Sequence, residues 1–110
     1  MDAHEIGDLI ARQKAQGRAY LEFLRPDSLS LGLYHLPAGA ADTQQPHAED
    51  EVYYVVRGRA QVRVGDEARA VEPGSIVFVA RRVPHRFFAI VEDLTLLVFF
   101  APPHDPAHNG

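Results

Sequence analysis

The sequence contains no cysteine, which excludes disulfides, thiolate catalysis and cysteine-bound zinc. No apolar run approaches the roughly 20 residues that a membrane-spanning helix needs, so no membrane association is expected. The opening residues, Met1-Asp2-Ala3-His4-Glu5, lack the basic and then apolar regions of a secretory signal, and a cytoplasmic location is the default expectation. Basic residues are scarce and scattered. Of eleven Lys and Arg only Arg81 and Arg82 are adjacent, and the formal net charge is −4. A basic face that tracks phosphates is therefore disfavoured, and with it a nucleic-acid partner. There is no internal repeat, no DNA-binding segment and no recognisable nucleophile triad.

What is present fits one domain. The chain has 110 residues, 46% of them hydrophobic, in the ordinary globular range. Residues 3–16 read as a short amphipathic helix, with Ile6, Leu9, Ile10 and Gln13 at i, i+3, i+4, i+7 spacing. Asp2 is placed to cap it with Glu5 completing a capping box, and Gly17 to end it. Beyond Gly17 the pattern becomes short apolar runs: 20–24, 29–36, 52–56, 60–64, 68–71, 76–80, 86–91 and 94–100. Pro26-Asp27, Gly58, Gly65-Asp66, Pro73-Gly74, Val83-Pro84 and Glu92-Asp93 mark the turns between them. Runs rich in Val, Tyr and Phe, recurring about every ten residues, predict an all-β sandwich or barrel. No helical pattern falls between them, which argues against a parallel βαβ sheet. The expected organisation is a helix over 1–17, a barrel over 18–101 and a proline-rich, frayed tail over 102–110.

Six histidines are the most informative residues, because histidine is the commonest metal ligand and a general base. Two segments carry them in a chemical context. In the first, Gln45 and His47 share a face by strand alternation, and Glu51, Tyr53 and Val55 share the inward face of the next strand. A carboxylate at the start of so apolar a strand is costly to bury alone, and a cation held by His47 and Glu51 removes that cost. In the second, Pro73-Gly74 turns into a buried strand and Pro84-His85 sets His85 at the start of the next. Two histidines and a carboxylate make the donor composition of a transition-metal site. Glu49 and Asp50 read as solvated turn residues, and His4, His35, His104 and His108 lack comparable context. Of Tyr34 and His35, only one can face the barrel.

These segments resemble the cupin superfamily, in particular its small single-domain members. The family's first motif is Gly, five residues, His-x-His, three or four residues, Glu, six residues, Gly. Here Gly39 is followed by five residues, Gln45-Pro46-His47, three residues, Glu51, six residues and Gly58. The second motif, a Pro-x-Gly turn, a strand and a Pro-His step, is matched by Pro73-Gly74 and Pro84-His85. The resemblance implies a double-stranded β-helix, or jelly roll, holding one divalent transition metal (Fe, Zn, Mn or Ni) on His47, Glu51 and His85. Gln45 stands where the motif has its first histidine. It is either a fourth ligand, a group orienting bound water, or neither.

Tyr53, Phe78, Phe87 and Phe99 are candidates to line an apolar pocket, or are ordinary barrel filling. Arg82 and Arg86 are candidates to hold an anionic substrate, or are surface residues paired with Glu92 or Asp93. Two functions fit: a metalloenzyme of dioxygenase or isomerase/lyase type acting on a small molecule, and a non-catalytic module that binds or senses a small ligand. Strands apolar on both faces, together with the run 20–24, lead us to expect a homodimer.

Overall fold

The computed structural model describes residues 1–106. One helix, α1 (Ile6–Gln16), precedes six strands: β1 (Tyr20–Leu24), β2 (Ser30–Leu36), β3 (Asp50–Val64), β4 (Glu67–Val71), β5 (Ile76–Val79) and β6 (His85–Ala101). The helix starts later than expected, with Glu5 in the capping position and no side-chain cap. The Asp2–Glu5 capping box does not form. Gly17 ends the helix as expected, in the left-handed region at φ 66°, with its N–H bonded to the Gln13 carbonyl.

All strand pairs are antiparallel, in the order β1-β2-β6-β3-β4, with β5 also paired to β3. β3 and β6 form the spine of the barrel. Each is a single long strand where the sequence pattern suggested two, because Gly58 and Glu92-Asp93 bend the ladder rather than break it. Three register shifts lie between Val55 and Gln61. Bulges of this kind turn a strand around a barrel corner and reverse which parity points inward. In β3 the buried residues pass from Glu51, Tyr53 and Val55 to Gly58, Ala60 and Val62. In β6 they pass from His85 and Phe87 to Ile90 and then Leu94, Leu96 and Val98, the change falling at Ala89, whose φ is +48°.

The main core unites Tyr53, Val55, Val62, Val79, Phe87, Leu94, Leu96 and Val98 inside the barrel. A smaller cluster of Leu9, Leu21 and Leu33, with Ile10 and Phe23 against it, seats α1 on the outside of β1 and β2. Gln13 sits within that contact. Its amide donates to the Ala19 and Leu33 carbonyls at 2.8 and 2.9 Å, which satisfies a polar group that would be costly to bury alone.

Candidate metal centre

Residues 40–49 are irregular, so strand alternation does not govern them. Asp42 organises this loop instead. Its carboxylate accepts from the Tyr34 hydroxyl at 3.1 Å, the Phe87 N–H at 2.9 Å, and the Gln44 N–H and side-chain amide at 3.2 and 2.7 Å. The amide N–H of Gln44 must face the carboxylate, so its oxygen is directed the other way. That oxygen lies 3.1 Å from His47 Nε2 and accepts from the Tyr53 hydroxyl, also at 3.1 Å. The glutamine in the site is therefore Gln44. Gln45, the expected candidate, is exposed.

His47, Glu51 and His85 converge. Glu51 Oε1 lies 2.8 Å from His85 Nε2 and 3.7 Å from His47 Nε2, with the Glu51 and His85 side chains each only 1% exposed. A donor atom of each lies within 4.8 Å of the others. β3 supplies Glu51, the start of β6 supplies His85, and the loop supplies His47, whose carbonyl is tied to the Arg82 N–H at 2.7 Å.

The residues fit a cation on two grounds. Among the described residues, both Glu51 oxygens, His85 Nε2 and His47 Nδ1 are buried without a hydrogen-bond partner; the short His85–Glu51 approach is not aligned as a hydrogen bond. In addition, His85 Nδ1 is 2.9 Å from the Val83 carbonyl. That contact places a proton on Nδ1 and leaves Nε2 on the Glu51 side, the usual outer-shell arrangement of a ligating histidine. Two imidazoles and a carboxylate, with the Gln44 carbonyl oxygen beside them, suit a first-row divalent metal.

The protein's field acts differently on the two imidazoles. Burial lowers the pKa of His47, and the Glu51 charge only partly offsets it. Burial also opposes charge on His85, but Glu51 and the Val83 carbonyl outweigh it, so its pKa is raised. Burial, with help from nearby carboxylates, holds Tyr20, Tyr34 and Tyr53 above the usual phenol range. They therefore remain protonated donors at neutral pH.

A cavity of about 170 Å³ opens beside His47. Its walls include the apolar side chains of Val98 and Phe100 and the rings of Tyr20, Tyr34 and Tyr53. The other expected lining residues stand elsewhere. Phe87 is buried in the core against Tyr53, ring centroids 5.0 Å apart. Phe78 is 60% exposed on the outer face, because β5 turns Val77 and Val79 inward. Phe99 is also outward, opposite Val52. Arg82 is exposed at a left-handed turn, φ 67°, and acts on the site through its backbone N–H. Arg86 lies over the Phe88 ring at 5.3 Å. Among the described residues it is Arg59, not Arg82 or Arg86, that pairs with Glu92. Tyr34 is the inward member of its pair; His35 faces the groove beside α1.

Two residues of the site carried no legible signal in the sequence. Glu49, expected to be solvated, is 3% exposed. Its carboxylate meets His104 Nδ1 at 3.0 Å and accepts from the Asp105 N–H at 3.2 Å. His104, expected in a frayed tail, stacks on Phe100 with centroids 4.5 Å apart, and its backbone N–H donates to the Ser30 hydroxyl at 2.9 Å. His47, Glu49 and His104 also bring donor atoms within 4.8 Å of one another. The Glu49 oxygens are already engaged by His104 and Asp105, whereas those of Glu51 are not, so Glu51 is the better anchor for a cation. His108 lies outside the described residues.

Known proteins are similar to this chain. A Streptomyces coelicolor protein of uncharacterized function is 50% identical over 103 residues, 94% of this chain and 98% of its own length. The crystal structure of TT1209 from Thermus thermophilus superposes with a TM-score of 0.78 at 30% identity, covering 94% of this chain and 99% of that one. DMSP lyase DddQ from Ruegeria pomeroyi matches with a TM-score of 0.65 at 27% identity, over 69% of this chain and 39% of the lyase. Residues 32–100 match the cupin domain family, and with an antiparallel barrel that gathers His47, Glu51 and His85 from separate segments, the chain belongs to the cupins, as a double-stranded β-helix.

Proposed function

We propose that this cupin is a divalent-metal-dependent enzyme of lyase or isomerase type, acting on a small molecule at the mouth of its barrel and working as a homodimer. The observation that carries the proposal is the group of buried, unpartnered donor atoms on Glu51, His85 and His47 beside an open cavity. The 27% identity to a DMSP lyase supports the reaction class, as does the Gln44 carbonyl oxygen, which suits a harder cation than an all-imidazole site would.

His47, Glu51 and His85 would hold the metal, with Gln44 as a fourth donor. Bound there, a divalent cation supplies Lewis acidity to a carbonyl or carboxylate oxygen and activates water. The protein's own groups do the rest. Glu51 contributes the anionic charge, and Val83 fixes the orientation of His85. Tyr53 and Asp42 hold the Gln44 amide, and Val98 and Phe100 give the cavity an apolar wall.

Elemental analysis of protein purified without an affinity tag, with melting temperature measured with and without added metal, tests this reading. Glu51→Gln keeps size and hydrogen-bonding reach but removes the charge. The variant should lose metal stoichiometry, and the metal-dependent rise in melting temperature should shrink. Its metal-free form should stay folded, because glutamine keeps the shape of the side chain and a hydrogen-bonding group toward His85. Unchanged stoichiometry in Glu51→Gln would remove Glu51 from the site. Iron in the purified protein would move the reaction class to an oxygenase.

A further inference from the structure

The hydroxyl groups around the cavity are not equivalent. Tyr34 donates to Asp42 and Tyr53 donates to Gln44. The Tyr20 hydroxyl is buried and has no hydrogen-bond partner among the described residues, although buried hydroxyls in folded proteins are nearly always bonded. The backbone is arranged to hold it there. Tyr20 opens β1 opposite Tyr34 of β2, and its ring crosses β2 at Gly32. A Cβ on Gly32 would overlap the phenol carbon and hydroxyl of Tyr20. Glycine inside a strand weakens it and commonly marks such a close approach. The ring is further fixed by edge contacts with Tyr34, Phe100 and His104, centroids 6.2–6.4 Å away. The fold thus gives up a strand side chain to seat a hydroxyl that bonds to none of the described residues.

We infer that Tyr20 anchors the substrate, donating a hydrogen bond to an sp² oxygen, carbonyl or carboxylate, of a molecule seated between it and the metal centre. The inference rests on the metal-dependent reading above and adds its ligand class. The phenol proton needs an acceptor, and one acceptor that lines the cavity, Gln44 Oε1, already serves Tyr53. Val98 and Phe100 take the hydrocarbon part. A cavity of about 170 Å³ is close to the roughly 150 Å³ that admits benzene, so the part of the ligand seated inside it has about six to eight non-hydrogen atoms.

The test titrates 2-oxobutanoate, butanoate and pentan-2-one into zinc-loaded wild type and Tyr20→Phe, with metal content measured on the same samples. The three probes separate a carboxylate acceptor from a carbonyl one. At least one should bind the wild type, and Tyr20→Phe should bind it about tenfold more weakly, the loss of one hydrogen bond, at equal metal content. Metal-free, ligand-free Tyr20→Phe should melt at the wild-type temperature or above, because no protein partner is lost. Gly32→Ala should push the ring aside and weaken the same probe. Equal binding by wild type and Tyr20→Phe, no binding of any probe to zinc-loaded wild type, or a lower melting temperature for Tyr20→Phe would each overturn the inference. If wild type takes up no metal, the metal-dependent reading falls. Tyr20 is then judged by the same probes on metal-free protein, where equal or absent binding overturns it.

Discussion

Asp42 uses both carboxylate oxygens to aim its neighbour but one. By taking the Gln44 N–H and side-chain amide while also accepting from Tyr34 and from the Phe87 N–H, it fixes an irregular loop to β2 and β6. Gln44 therefore presents a carbonyl oxygen to His47, and Gln45 turns to solvent. Adjacent glutamines thus predict opposite outcomes. Gln44→Ala should weaken metal binding about tenfold or more, in the range seen when groups supporting a metal ligand are removed. Gln45→Ala should change neither affinity nor stability by more than about 0.5 kcal/mol, as for an exposed site. Competition with a chromophoric chelator measures both. Counting from the cupin motif points to Gln45; the motif carries spacing but not the Asp42 contacts that rotate the loop.

Among the elements, β3 and β6 decide where the site can form. Their bulges keep Glu51 and Tyr53 inward at one end and Ala60 and Val62 inward at the other. Gly58 is the pivot. It sits at φ +95°, and a side chain there would meet the Asp93 carbonyl and Leu94 Cα of β6. Gly58→Ala should lose about 3 kcal/mol, the strain of a non-glycine residue at positive φ plus a backbone overlap. Urea unfolding should show this as a lower midpoint with unchanged slope. The glycine was legible in the sequence, as was its place in the motif. A turn and a bulge leave the same local mark, and only pairing across β3 and β6 distinguishes them.

At the scale of the molecule, one outer face is more apolar than a lone barrel requires. Tyr54, Ile76 and Phe78 are 39%, 68% and 60% exposed. Ladder pairing places Tyr54 beside Ile76 and Leu97, and Val52 beside Phe78 and Phe99, which makes a contiguous patch. Large exposed apolar patches mark interaction surfaces, and a symmetric pair of copies is the commonest soluble assembly. Light scattering at micromolar concentration should give the mass of a dimer for wild type and of a monomer for Phe78→Asp, with metal stoichiometry equal in both. A monomeric wild type would remove the dimer from the proposal.

The sequence by itself determined the all-β class, most strand positions, the Gly17 stop, and the grouping of His47, Glu51 and His85. The first three rest on local spacing, alternation and turn residues, and the last on the resemblance of two separate segments to the cupin motifs. Only the tertiary structure decided that Phe78 faces outward, that Gln44 replaces Gln45, that Tyr20 reaches the cavity across Gly32, and that His104 pairs with Glu49. The last contact joins residues 55 positions apart. Such contacts depend on which strand edges the barrel brings together, and no local pattern in either segment encodes that meeting.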